Sequence, residues 1–95
     1  MKKQATEWDS ATGLDSPEEI AGYLDAALEE GDLRSISMAI GTIARSKGMA
    51  DIARRTGLSR ESLYRALSEN GNPTFSTILK VLKALGMRIS ATPAA

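Results

Sequence analysis

Residues 49–68 read Met49-Ala-Asp-Ile-Ala-Arg-Arg-Thr-Gly-Leu-Ser-Arg-Glu-Ser-Leu-Tyr-Arg-Ala-Leu-Ser68, and no other stretch restricts the fold as much. Met49, Ile52 and Ala53 share one helical face, and Gly57 breaks the helix where a residue without a Cβ can take a positive φ. Leu58 fills the corner. Ser59 is placed to cap a second helix by accepting from its free amides, and Leu63, Ala66 and Leu67 give that helix an apolar inner face. Ala53 suits a crossing point, since two helices at a steep angle approach closely there. The stretch is a helix-turn-helix pattern.

The outward residues of the second helix are Arg60, Glu61, Ser62, Tyr64 and Arg65. In a helix-turn-helix its first two turns enter the DNA major groove. Arg pairs with guanine, Ser bonds most base edges or a phosphate, and Glu accepts from cytosine. Tyr64 could reach a phosphate or a base methyl. The competing reading is a helical hairpin whose polar face is only solvated.

The remaining chain supplies support. Residues 1–15 mix Thr, Ser, Asp and Gly without a period, so an irregular arm is expected. Trp8 stands apart within it, either folding back over apolar surface or anchoring a partner. Ser16-Pro-Glu-Glu is a helix start, with Ser as cap, Pro17 at the first position and Glu19 completing a capping box. Ile20, Tyr23, Leu24, Ala27 and Leu28 form its stripe, Glu18, Asp25 and Glu29 face away, and Gly31 ends it. Asp32 caps a helix from 33 to about 46, with Ile36, Ala39, Ile40, Ile43 and Ala44 inward and Gly48 as its stop. Asn70-Gly71-Asn72-Pro73 is a loop by residue type. Thr74 caps a last helix with Phe75, Ile78, Leu79, Leu82 and Leu85 inward and Gly86 at its end. Val81 is then a candidate for an uncovered apolar residue at a dimer contact. Residues 87–92 alternate apolar and polar, the pattern of a short strand, though six residues alone make no stable sheet.

Ninety-five residues, 42% hydrophobic and 25% charged, suit one domain, taken as 16–95 after the arm. With no Cys and no His, disulfides, common zinc sites, Cys nucleophiles and His acid–base chemistry are excluded, and no catalytic or metal-binding residue is singled out. Glu18-Glu19 and Glu29-Glu30 are adjacent on helices and do not face one another, so they read as solvated surface. No cofactor, secretory signal or membrane span is indicated, which points to the cytoplasm. Net charge is zero, but residues 1–44 hold three Lys/Arg against nine Asp/Glu, and residues 45–95 hold nine against three. Two surfaces with different partners are implied. Phosphates would meet Arg45, Lys47, Arg54, Arg55, Arg60 and Arg65, while the acidic half suits a basic protein.

Residues 49–86, with Asn70-Gly-Asn-Pro-Thr-Phe and Ile78-Leu-Lys-Val-Leu-Lys-Ala-Leu-Gly86, resemble an XRE/Cro-type (lambda-repressor-like) helix-turn-helix domain. Nearly the whole chain, from Trp8-Asp through Ser16-Pro-Glu-Glu-Ile-Ala-Gly-Tyr-Leu to Gly57-Leu-Ser-Arg-Glu-Ser-Leu-Tyr, resembles the HigA-like addiction-module antidotes. The resemblance implies an all-α, five-helix fold and a cytoplasmic homodimer that binds double-stranded operator DNA and represses its own promoter. It also implies a RelE/ParE-superfamily (HigB-like) toxin as partner. Many of the wider group begin both motif helices with Gln; Met49 and Arg60 stand there in this chain, so base preferences do not carry over. The DNA-facing set is Ser59, Arg60, Glu61, Ser62, Tyr64 and Arg65 with Arg54, Arg55 and Lys47; the toxin-facing set is Trp8, Glu18, Glu19, Asp25 and Glu29. Two alternatives stand beside this reading: a stand-alone XRE-type repressor with no toxin, and a helical interaction module without DNA binding.

Overall fold

Ser16 opens the part of the chain that the computed structural model describes, residues 16–94. Its hydroxyl accepts from the Glu19 amide and the Glu19 carboxylate accepts from the Ser16 amide, both at 3.1 Å. Two free amides of the first turn are thereby satisfied, and Pro17 needs no partner. Helix α1 (Pro17–Glu30) follows and stops at Gly31. Asp32 caps α2 (Leu33–Lys47) by accepting from the Ser35 amide at 3.0 Å. That backbone bond, then the Ser35 side chain, holds the Asp32 carboxyl below its ordinary range, against a small opposing desolvation. α3 (Met49–Thr56), α4 (Arg60–Ala66) and α5 (Phe75–Ala84) complete a set of five helices among the described residues. Thr74 caps α5 through the Thr77 amide at 3.1 Å.

The core lies around α2, which packs against α1, α3 and α5, while α3 also packs on α4 and α5. Ile40, Ile43 and Ala44 of α2 meet Ile20 and Leu24 of α1, Met49 and Ile52 of α3, and Ile78, Val81 and Leu82 of α5. Leu63 and Leu67 pin α4 to this cluster, both essentially inaccessible to solvent. Burying each such side chain is worth roughly 1.5–3 kcal/mol over leaving it in water. Leu63→Ala would cost roughly 2–5 kcal/mol and release the short helix it anchors.

Four expectations are corrected. Residues 87–92 form no strand, because no partner strand exists among the described residues and six residues cannot sustain a sheet alone. Val81 is fully buried, so it offers nothing to a dimer. Phe75 and Leu79, expected in the core, are 64% and 43% exposed. Leu28, expected on the buried stripe of α1, is exposed as well, because α2 covers only the Ile20–Leu24–Ala27 side.

Candidate nucleic-acid interface

Thr56 fixes the turn between α3 and α4. Its hydroxyl donates to the Ile52 carbonyl at 2.8 Å and accepts from the Leu58 amide at 3.3 Å, tying the last turn of α3 to the corner. Gly57 takes φ 78°, which an L side chain would resist, and its amide donates to the Ala53 carbonyl at 2.9 Å. Leu58 packs against the core as expected. Ser59 is extended, and its hydroxyl accepts from the Ser62 amide at 3.0 Å. Ser59 also donates to the Ser62 hydroxyl at 2.9 Å, so these two predicted contact residues are committed first to the cap.

At 100° per residue, Arg60, Glu61, Tyr64 and Arg65 fall within one arc of about 140° on α4, and Leu63 with the C-cap Leu67 lies on the arc that adjoins it beyond Arg60. All four are exposed. Arg60 and Arg65 form no ion pair with any described residue. Two cations, a carboxylate and a phenol therefore stand together on a helix held rigidly from behind. The end of α4 is set by a close approach: a Cβ at Gly41 of α2 would sit 2.8 Å from the Leu67 carbonyl oxygen. Only glycine lets α2 and that carbonyl come so near.

Arg54 and Arg55 stand on the exposed end of α3, both paired with Asp51, Arg55 Nε at 2.9 Å. Sequence reasoning did not give Asp51 this role, although its i+3 and i+4 spacing carries the signal. Exposed pairs of this kind are worth about 0.2–1 kcal/mol, too little to hold either cation against a phosphate. Lys47 is exposed at the end of α2. The other predicted set splits: Glu18, Asp25 and Glu29 are exposed on α1, Glu19 is engaged in the cap, and Trp8 lies outside the described residues.

Among the described residues no three His, Cys, Asp or Glu side chains gather as a metal site would require, and no helix is long and apolar enough to cross a membrane. Fold and surface together define a small all-helical protein with one cationic, hydrogen-bonding helix face and one acidic helix. A family described as "Probable addiction module antidote protein" matches residues 4–93, and the chain belongs to that family. An antidote implies a toxin of some kind as partner. A protein of Haemophilus influenzae, described only as uncharacterized, is 49% identical over 88 residues, covering 93% of this chain and 91% of its own. No solved structure matches.

Proposed function

We propose that the chain is the antitoxin of a type II toxin–antitoxin pair, which binds operator DNA as a homodimer through α4, represses its own promoter and neutralises a RelE/ParE-superfamily, HigB-like toxin. The α3–turn–α4 unit acts as the helix-turn-helix. One observation carries the DNA half: the exposed face of α4 presents Arg60, Glu61, Tyr64 and Arg65 without internal ion pairs, on a helix fixed by Leu63 and Leu67. A helix built only to complete a core has no need for two unpaired guanidiniums on its outer face. Family membership supports the toxin half.

Phosphates would draw Arg54, Arg55 and Lys47 into backbone contacts that position α4, leaving Arg60 and Arg65 to read base edges. The acidic outer face of α1 lies on a different element from this basic face, so toxin and DNA can be held by one molecule. A basic toxin would be drawn to Glu18, Asp25 and Glu29 by long-range attraction, with affinity supplied by apolar contacts. The test is a shift assay on the duplex upstream of the gene and on random duplex. Arg60→Ala should lose about 1–3 kcal/mol on the first and little on the second. Arg54→Ala should weaken both alike and reduce the salt slope by roughly one. Equal loss on both duplexes for Arg60→Ala would remove base reading from α4.

A further inference from the structure

The arginines of α3 and α4 are held in different ways. Arg60 and Arg65 on α4 pair with no described residue. Arg54 and Arg55 on α3 both close on one carboxylate, that of Asp51: Arg55 Nε donates to Oδ2 at 2.9 Å, and the Arg54 guanidinium donates to Oδ1. Each oxygen thus serves one guanidinium. Asp51 is the single acid of α3 and lies in its first turn. Its side chain is 34% exposed against 73% for Arg54 and 59% for Arg55, so the carboxylate is the most covered of the three groups. An acid in the first turn helps a helix that, like α3, starts without a side-chain cap. That service needs no arginine partner, and it leaves the double pairing unexplained.

We propose that Asp51 is an internal counter-ion that restrains the clamp formed by Arg54 and Arg55, setting how strongly α3 holds any duplex while taking no part in base reading. The inference rests on the proposed DNA binding and adds a control on it. Two guanidiniums against one carboxylate leave a net charge of +1 where the arginines alone would carry +2. A phosphate that engages either arginine competes with the carboxylate, which the i+3 and i+4 spacing keeps beside it. An exposed ion pair is worth about a 1.4- to 5-fold change in an equilibrium constant. Two such pairs yield to a phosphate, but together they weaken its hold by about 2- to 25-fold. Phosphates are alike on every duplex, so the restraint is the same on operator and random sequence, and discrimination is left to α4.

Asp51→Asn keeps the size of the side chain and removes its charge. In shift assays across a salt series it should tighten operator and random duplex by the same factor, about 2- to 25-fold at low salt. The log–log salt slope should steepen by roughly one, for the one charge no longer opposing phosphate neutralisation. Asp51→Glu, which keeps a carboxylate at the same spacing, should stay near the wild type in both measures. A side chain serving only the start of α3 would lose thermal stability on removal of its charge and would bind DNA no tighter. Asp51→Ser removes the charge by another route, so a folding failure of one variant, seen by circular dichroism, leaves the other to decide. Unchanged or weakened binding in the folded variants would overturn the proposal, as would a gain on the operator alone, which would make the effect of Asp51 sequence-specific. A wild-type chain that shifts neither duplex would remove the DNA-binding reading and this inference with it, whereas a wild type that binds beside Asp51 variants that bind no tighter removes the inference alone.

Discussion

Two neighbouring positions on α2 show how differently single atoms count. Gly41 lies so close to the end of α4 that an added Cβ would be 2.8 Å from the Leu67 carbonyl oxygen and 3.2 Å from the Leu67 Cβ. The carbonyl belongs to backbone and cannot swing aside, so Gly41→Ala should destabilise the fold by about 1–3 kcal/mol despite alanine's better helix propensity. Ser37, one turn earlier, is fully buried and its hydroxyl has no hydrogen-bond partner among the described residues. Such a group costs about 1–3 kcal/mol of desolvation, so Ser37→Ala should leave stability unchanged or raise it. Urea unfolding of the two variants decides: a loss is expected for Gly41→Ala and none for Ser37→Ala, and a stabilised Gly41→Ala would show that the α2–α4 contact is looser than described. Neither site announced itself in the sequence. Gly41 and Ser37 read there as neutral small residues on a helix, because what constrains them is a carbonyl 26 positions away and a core that forms only after folding.

Four of the five described helix starts were legible because each is written in local chemistry, whereas α3 starts at Gly48 without a side-chain cap. Ser16-Pro17, Asp32, Ser59 and Thr74 all cap as their residue types demand, and α2 runs to Lys47 against an expected end near Ser46. The orientation of α5 was not legible. The expected stripe of Phe75, Ile78, Leu79, Leu82 and Leu85 is rotated by about 40° from the buried face of Ile78, Val81 and Leu82 at 100° per residue. Apolar residues cover more than half of that helix, so periodicity alone cannot choose which side meets α2 and α3. The caps make testable claims. α4 has seven residues, too few to stand without its cap and its leucines. Ser59→Ala should therefore cost about 1 kcal/mol and weaken operator binding with it, through the positioning of Arg60. Asp32 offers a pH signature. Its folded pKa lies below the ordinary 3.8, so its stabilisation is complete above that value and is lost as pH falls through the lower folded one. Asp32→Asn keeps a capping oxygen without the charge, and its acid unfolding profile should be flatter below pH 5 than that of the wild type. Identical acid limbs would assign the acid sensitivity to other carboxylates.

At the scale of the molecule, the charge division predicted from the sequence maps onto separate elements: acids on α1, and on α4 arginines that pair with no described residue. One link crosses between regions, an ion pair from Arg34 at the start of α2 to Glu69 after α4, with no signal in the sequence because the partners are 35 residues apart. The proposed dimer must satisfy both geometry and apolar surface. The described residues measure about 39 × 38 × 24 Å, so two copies side by side can hold their α4 helices one DNA turn, about 34 Å, apart. Leu82 is buried and offers nothing to such a contact, while Ile89 is 39% exposed at the lip of a groove between α1, α2 and α5. Leu28, Leu33 and Met38 are exposed singly on α1 and α2, whereas Phe75 and Leu79 stand one turn apart on α5, the former the most exposed large apolar side chain described. Core residues at such an interface carry about 2–4 kcal/mol each on truncation, enough for one to move a micromolar dimer out of reach. Phe75→Glu and Leu79→Glu should therefore give monomers by sedimentation, with helicity and thermal stability close to wild type because neither side chain belongs to the core. Operator affinity should fall by at least the dimerisation energy, while toxin capture through α1 should persist. If both variants sediment as the wild type does, the two-fold contact lies elsewhere; if Ile89→Glu alone dissociates the dimer, the tail carries it.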